Sequence, residues 1–459
     1  MLRQLIAILA GATFSLAASN AASSAASNAA GVDGLPDGVW LQRGYGYIHE
    51  VSGDQITLWV AGRGYCYEID DYYAPFDRLT KISNDLVMAY ETGGITKYRF
   101  ERSDALPASC AKTSYKTNDP LRNFDMLWRH FNDYYGFFDL KGVDWLQSYR
   151  TYRQRISQNT TNKELKAVFI KMLSDLKDEH ISMEFGPKES WGFQGDDSLR
   201  AALAGPPDDY ESLIADFKRR TNLKYNAVGA QSAYAGALTW GEVTPSIAYV
   251  GVHRMRHSDT PTDEVVRRVD AAFNDRVIPF LANYERILVD VRFNRGGHDA
   301  VALAIAGRFA PVRCVAFKKR PVEADGNGLS QEVYVTPAAD NGRAAKPIVV
   351  LSSSQTASAA EIFLLAMSRL PNVRIVGEPS KGVLSDMWGG VLPNGWQFSL
   401  SNEEYLTADG SSYEGQGIPA DVETPVYVTG DIVGNLDLSE QKAVEVLNGM
   451  TSSSYETCR

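Results

Sequence analysis

From Ser246 to Val376 the chain alternates two kinds of segment, and this alternation limits the fold more than any other feature. Ile247–Val252, Ile287–Val291, Ile348–Leu351 and Val373–Val376 are continuous apolar runs of four to six residues. Between them Asp263–Tyr284, Asp299–Phe309 and Ala357–Leu370 carry apolar residues at helical spacing. A strand apolar on both faces must be covered on both faces, and strands joined through helices run parallel. The pattern therefore predicts an α/β layer on a largely parallel sheet. Trp396–Thr407 then returns to strand-like alternation.

The rest of the chain divides by period. Met1–Ala30 begins with Arg3, continues with a short apolar stretch over Leu5–Ala18 and ends in Ala, Ser and Asn. That is the layout of a cleaved secretory signal over residues 1–25 followed by a flexible spacer, and the apolar run is too short for a stable membrane span. Residues 32–110 read as a small all-β domain, barrel or sandwich. Tyr45–Ile48, Ile56–Val60, Cys66–Ile69, Leu86–Tyr90 and Thr96–Phe100 are separated by Gly, Asp and Asn turn signals. After a connector containing Pro107 and Pro120 the period becomes helical. Phe124, Leu127, Trp128, Phe131 and Tyr135 form one stripe, and Thr161-Asn-Lys-Glu164 is a capping box opening a second helix. This helical domain spans 118–190. Residues 191–243 form a linker or inserted element, and 244–455 form the α/β domain.

Charge and cysteine content bound the partners. Forty-six Lys and Arg against 56 Asp and Glu give a net charge of −10, with no long basic block. That disfavours nucleic acid and anionic lipid as partners. Cys66, Cys110, Cys314 and Cys458 sit in no metal-binding spacing, and in an exported chain an even count predicts disulfides with three pairings open. No HExxH or other ligand set is present, so the expected site is free of metal and cofactor.

In open α/β sheets ligands sit at the carboxyl ends of strands, and two strand-to-helix turns stand out. Ile287–Gly297 ends in Asn294 and the pair Gly296-Gly297, which lets backbone N–H groups approach an anion. Ile348–Glu361 runs from a buried strand into a hydroxyl-rich turn and a helix, with Ser358 in the first turn. A nucleophilic serine there gains an oxyanion donor in the N–H of Ala359, whereas the plainer reading of these hydroxyls is helix capping. A serine nucleophile needs a base. Of the six histidines, His49 lies in the β segment, His130 on a helix face and His253 and His257 in a loop expected to be solvated. His180 follows a helix within Asp178-Glu179-His180, an acidic setting expected to raise its pKa, and His298 follows the Gly pair as its competitor.

Four motifs in order, Val289–Gly297, Ser352–Glu361, Val376–Gly382 and Glu414–Asp421, resemble the serine peptidase family that contains the tail-specific (C-terminal processing) proteases and the tricorn protease core. Leu173–His180 resembles the helix-end L-x-D-x-H segment of the tricorn-like branch, and Asn123–Met183 its helical domain. The resemblance implies a crotonase-like α/β catalytic domain within a multidomain α+β chain. It implies Ser358 as nucleophile, His180 as general base, Glu414 as the carboxylate that orients the base through a relay, and Gly297 with Ala359 as the oxyanion hole. The lysine base of the tail-specific branch would fall on Val383, with Lys381 two residues short, so the pattern favours Ser–His over Ser–Lys. Glu179 replaces the serine of the tricorn pattern and is a possible accessory to the relay. No peptide-docking PDZ pattern is evident.

The implied activity is that of an exported, periplasmic or extracellular serine endopeptidase acting on peptides or unfolded proteins by acyl transfer. The alternative is a non-catalytic peptide- or apolar-ligand-binding protein on the same scaffold. Export disfavours an acyl-CoA enzyme, and the lack of a G-x-S-x-G elbow disfavours an α/β-hydrolase.

Overall fold

A computed structural model describes residues 34–69, 76–110, 115–195, 215, 218–225, 228–229, 237–256, 260–323, 328–338, 346–426, 437–451 and 456–459. The signal-like segment 1–25 and His257 lie outside the described residues. The described chain is a multidomain α+β protein with four sheets.

The first is one seven-stranded antiparallel sheet rather than two stacked ones, with Tyr65–Ile69 and Arg78–Lys81 at its edges. Gly38–Gln42, whose Val39-Trp40-Leu41 was passed over in the sequence, and the polar Arg78–Lys81 complete it. Trp40, Val51, Val87, Ala89 and Phe100 fill one core on this sheet, and Ile48 and Trp59 pack with Cys110 in another. Cys66 and Cys110 are disulfide-bonded.

Pro120, read from sequence as connector, is the first residue of the helix Pro120–Tyr134. A missing N–H costs nothing there, and Asp119 caps the turn by accepting from the Leu121 N–H. The capping box at Thr161 opens Asn162–Ser174 as expected. These helices share one core with residues distant in sequence: Phe124, Phe131, Phe169 and Met172 pack with Tyr45, Tyr65 and Tyr67 of the first sheet and with Trp388, Trp396 and Phe398. His130, on the helix face, is buried between the hydroxyls of Tyr65 (3.1 Å) and Tyr67 (2.9 Å), which makes it structural.

The central sheet runs in chain order: Val228–Gly229, Leu238–Thr244, Ile247–Val252, Arg286–Asp290, Ile348–Ser352, Val373–Gly377 and Val422–Glu423. From Ile247 onward all neighbours are parallel. Right-handed crossovers in unbroken order put the intervening helices on one face. There Thr262–Ala272, Asp299–Gly307 and Ala359–Ser368 build the largest core. Leu438–Gly449 covers the other face through Ala443 and Leu447, which pack on Leu288, Val349 and Leu351. The helix expected over Asp263–Tyr284 is interrupted by a π-helical turn at Phe273–Val277, followed by Ile278–Leu281. Pro279 has no N–H to complete the regular ladder, so the turn widens.

Two further joints matter for the site. Ser182–Gly186, directly after His180, is sandwiched between Glu189–Gly192 and Gln397–Ser401 in a four-stranded sheet, with Ser182 opposite Ser399 and Glu184 opposite Gln397. A buried guanidinium anchors the C-terminal helix. Arg292 donates to both carboxylate oxygens of Asp290 (3.0 and 2.7 Å), to Asp437 (2.7 Å) and to Ser439 Oγ (2.9 Å). Cys314 and Cys458 form the second disulfide, tying the terminal residues to the α/β unit. Removing the charge while leaving Asp290 and Asp437 buried is expected to be severe: Arg292→Leu should lower unfolding free energy by about 3–5 kcal/mol, read by urea denaturation.

Candidate active site

Three loops leave the carboxyl ends of adjacent parallel strands and converge: 291–298, 353–358 and 378–386. Asn294 organises the first. Its Nδ2 donates to Val252 O (3.0 Å), its Oδ1 accepts from Gly296 N–H (2.8 Å), and its carbonyl accepts from Ala357 N–H (3.1 Å). Met255 N–H donates to Gly296 O and His298 N–H donates to Met255 O, both at 2.9 Å. Of the turn 296–298, Gly297 therefore keeps an N–H with no acceptor among the described residues. The Gly pair is required by space as well as by backbone angle. A Cβ on Gly296 (φ +93°) would lie 2.8 Å from Ser358 Cβ and 2.7 Å from Ala359 N. One on Gly297 (φ +146°) would lie 2.3 Å from Met255 carbonyl atoms.

Ser358 is the N-cap of Ala359–Ser368 and adopts φ 55°, ψ −131°, a conformation that side chains rarely tolerate. Besides Lys177 it is the only described non-glycine residue with positive φ. Such strain is of the order of 1–3 kcal/mol and persists only where surrounding structure enforces it. Here the enforcement is visible. Ser358 N–H donates to Val383 O (3.1 Å) and to Glu361 Oε2 (3.0 Å). The Glu361 carboxylate also accepts from Ser380 Oγ (2.6 Å), Gly382 N–H (2.7 Å) and Val383 N–H (2.9 Å). Burial pushes this carboxyl up to about 7 in spite of four donors. The N–H of Ala359, at the positive end of the helix, has no acceptor among the described residues, as at Gly297.

The turn carrying His180 is tied to these loops from outside. Glu179 pairs with Lys381 Nζ (2.9 Å) and, more distantly, with Arg295 (3.7 Å), while Lys381 N–H donates to Thr356 O (2.9 Å). Lys381, the lysine nearest the tail-specific position, is thus an ion-pair partner of Glu179. His180 is buried, its N–H donates to Asp178 Oδ1 (2.9 Å), and its carbonyl accepts from Ser399 Oγ (2.7 Å). The sequence expectation of a raised pKa is overturned. Burial lowers it below 6.5, outweighing the carboxylates of Asp178, Asp386 and Glu179. Glu414 accepts from the N–H groups of Leu384 and Ser385 at 2.9 Å each. Burial, with Asp178 and Glu361 as charged neighbours, pushes it up to about 8. Asp178, also bonded by Tyr135 OH (3.1 Å), is thus a neighbour of both Glu414 and the His180 backbone.

His298 borders the Gly turn, with Nδ1 3.4 Å from Thr262 Oγ1. His253, expected in a solvated loop, is instead half-buried, 2.9 Å from Thr239 Oγ1. Sequence reasoning passed over Asn294, Ser399 and Asp386 as parts of the site. Asn294 carried a signal in its place before the Gly pair. Ser399 carried none, since the segment it holds is 217 residues away.

Residues 246–424 match the family described as Peptidase family S41, and 117–174 match the Tricorn protease C1 domain. The chain carries a peptidase family S41 domain. Among curated proteins it is similar to the carboxyl-terminal-processing protease of Synechocystis sp., 27% identical over 176 residues, which are 37% of this chain and 38% of that protein. The carboxy-terminal processing protease CtpA of Bacillus subtilis is 30% identical over 142 residues, 30% of this chain and 29% of the other. The nisin-resistance protein of Lactococcus lactis is 26% identical over 149 residues, 31% of this chain and 47% of that protein. The chain thus spans less than half the length of these relatives. In fold it resembles a peptidase candidate solved from Parabacteroides merdae, with a TM-score of 0.58 at 23% identity over 73% of this chain and all of the other. The S41 match falls on the same segments whose motifs suggested the family.

The electrostatics give a direct test. Lowering a histidine pKa keeps the neutral, proton-accepting form populated to more acidic pH. Imidazole NMR is expected to show His180 mostly neutral at pH 6.5 and charging below it, with His130, pushed down to about 3, still neutral there. A His180 midpoint above 6.5 would contradict this balance.

Proposed function

We propose that the chain is an exported serine endopeptidase that cleaves peptides or unfolded proteins through an acyl-enzyme. Ser358 Oγ attacks the peptide carbonyl while His180 takes its proton and then returns it to the leaving amine. The N–H groups of Gly297 and Ala359 hold the oxyanion, and Glu414, across Asp178, steadies the turn that presents His180. Glu179 acts as a clasp to Lys381 and Arg295 rather than in a proton relay. The observation that carries the reading is the strained Ser358 backbone between two unengaged N–H donors at a helix N-terminus. The S41 match over this segment and the processing activity named for two relatives support it. In architecture we assign 32–110 as the β domain, 118–190 as the helical domain and 244–455 as a crotonase-like catalytic domain, supported by the chain-order sheet with its helices on one face. Two disulfides suit an exported protein.

The test is digestion of a casein-like unfolded protein with fragments read by mass spectrometry. Ser358→Ala and His180→Ala are each expected to remove cleavage, by at least about a thousandfold, while circular dichroism stays that of the wild type. His298→Ala should be milder. Equal cleavage by Ser358→Ala would reject the mechanism, and a larger loss in His298→Ala than in His180→Ala would move the base to His298. A folded wild type that binds but never cleaves peptides would favour the binding-protein alternative.

A further inference from the structure

A cavity of about 130 Å³ adjoins the Gly turn at the seam between the N-terminal sheet and the α/β unit. Glu91 and Thr96, from the sheet in which the sequence shows no chemistry, bound one side; Gly297, Asp299 and Asp386 bound the other. Lys319 closes it from within. This ammonium is fully buried and bonds to Thr96 Oγ1 (2.7 Å), Glu403 (2.6 Å) and Asp386 Oδ2 (3.1 Å). A cation so placed requires a nearby anion, and Glu403 and Asp386 share that role.

Of the two carboxylates on Lys319, Asp386 is the one that lines the cavity. Its side chain remains 54% exposed within the cleft. Burial opposes its charge, but Lys319 and the Met387 N–H outweigh burial and keep it ionised below the usual carboxylate range. Glu91, pushed up by burial, adds a second carboxyl from the opposite wall, and Asp299, bonded by Tyr405 OH (2.5 Å) and pushed up by burial to about 7, adds part of a third. The cavity is therefore open to solvent, lined by three carboxyl groups against one ammonium, and beside the unengaged N–H of Gly297. Gly297 and His298 themselves line the cavity, and Asp386 is an electrostatic neighbour of His180, which puts the cavity beside the proposed site and not on a remote surface.

We propose that this cavity is a substrate subsite that takes a cationic side chain, Lys or Arg, next to the scissile bond, with Asp386 and Glu91 as its selectivity residues. The N-terminal sheet is then part of the substrate cleft. The inference rests on Gly297 as the oxyanion donor, and its test is kept separate from the chemistry.

The full chain carrying Ser358→Ala reads binding without turnover. Dye-labelled decapeptides, N-acetylated so that no α-ammonium competes, carry one central Lys or norleucine and are titrated by fluorescence anisotropy at fixed salt. The Lys peptide is expected to bind about tenfold tighter. Adding Asp386→Asn or Glu91→Gln should bring the Lys/norleucine ratio below about threefold. Glu91→Gln, on the outer wall, covers the case in which Asp386→Asn unsettles Lys319. Equal or tighter binding of the norleucine peptide, binding of neither, or a ratio unchanged in both folded variants would overturn the subsite. A Lys preference in binding with no hydrolysis by the wild type would instead retain the subsite and reject the peptidase reading.

Discussion

Three antiparallel residue pairs, Ser182–Glu184 against Gln397–Ser399, hold the site together. They join a strand that directly follows His180 to one that follows the Ser358 helix and its loops. Ser399 Oγ fastens the joint at three points, donating to His180 O, accepting from Ser182 N–H and lying 2.7 Å from Ser182 Oγ. Without this pairing the helical unit would still have its aromatic core, but the His180 turn would have no fixed register on the α/β unit. A slip of one residue would send every side chain on the strand to the opposite face. The joint is backed by the core that packs Phe131 and Phe169 on Trp388, Trp396 and Phe398, so the position of the His180 turn is set by burial as well as by hydrogen bonds.

Around this joint the protein keeps several charges out of water, each with its compensation beside it. Arg292 has two carboxylates, Lys319 has Glu403 and Asp386, and Glu361 has four donors. Such groups contribute little net stability but fix geometry, because any rearrangement exposes an unpaired charge to a low-dielectric interior. Glu361 shows the benefit. A single carboxylate sets the loop 380–383 and the backbone of Ser358 in relation to each other, and so maintains a strained serine that local preference alone would release. The same low-dielectric setting lowers the His180 pKa, which keeps its ring a proton acceptor in spite of the acidic residues around it.

Much of this was legible in the sequence because it is local. Continuous apolar runs announced the parallel strands, Thr161 and Glu164 announced a helix start, and the Gly pair and the hydroxyl-rich turn marked the carboxyl-end loops. What was hidden depends on partners far apart in the chain. Ser182–Gly186 is a short strand with only Met183 and Phe185 apolar, held beside Gln397–Ser401, and the polar Arg78–Lys81 is held by its neighbour Leu86–Tyr90 rather than by strong propensity. The direction of the His180 shift was misread for the same reason. Adjacent acids are visible in sequence, whereas the burial of His180, bonded through its carbonyl to Ser399 of a distant strand, becomes visible only in three dimensions. Pro279 is the converse case, a local signal that was present and whose consequence, a widened turn, was overlooked.

The central claim is that the fold makes one hydroxyl reactive by pairing it with His180. The most direct measurement is the rate and site of labelling by a fluorophosphonate, followed by peptide mapping of the intact, folded chain. The account expects a single adduct, on Ser358, with the rate falling by at least about a hundredfold in His180→Ala. Labelling spread over many serines, or a Ser358 adduct formed equally fast without the His180 imidazole, would contradict it.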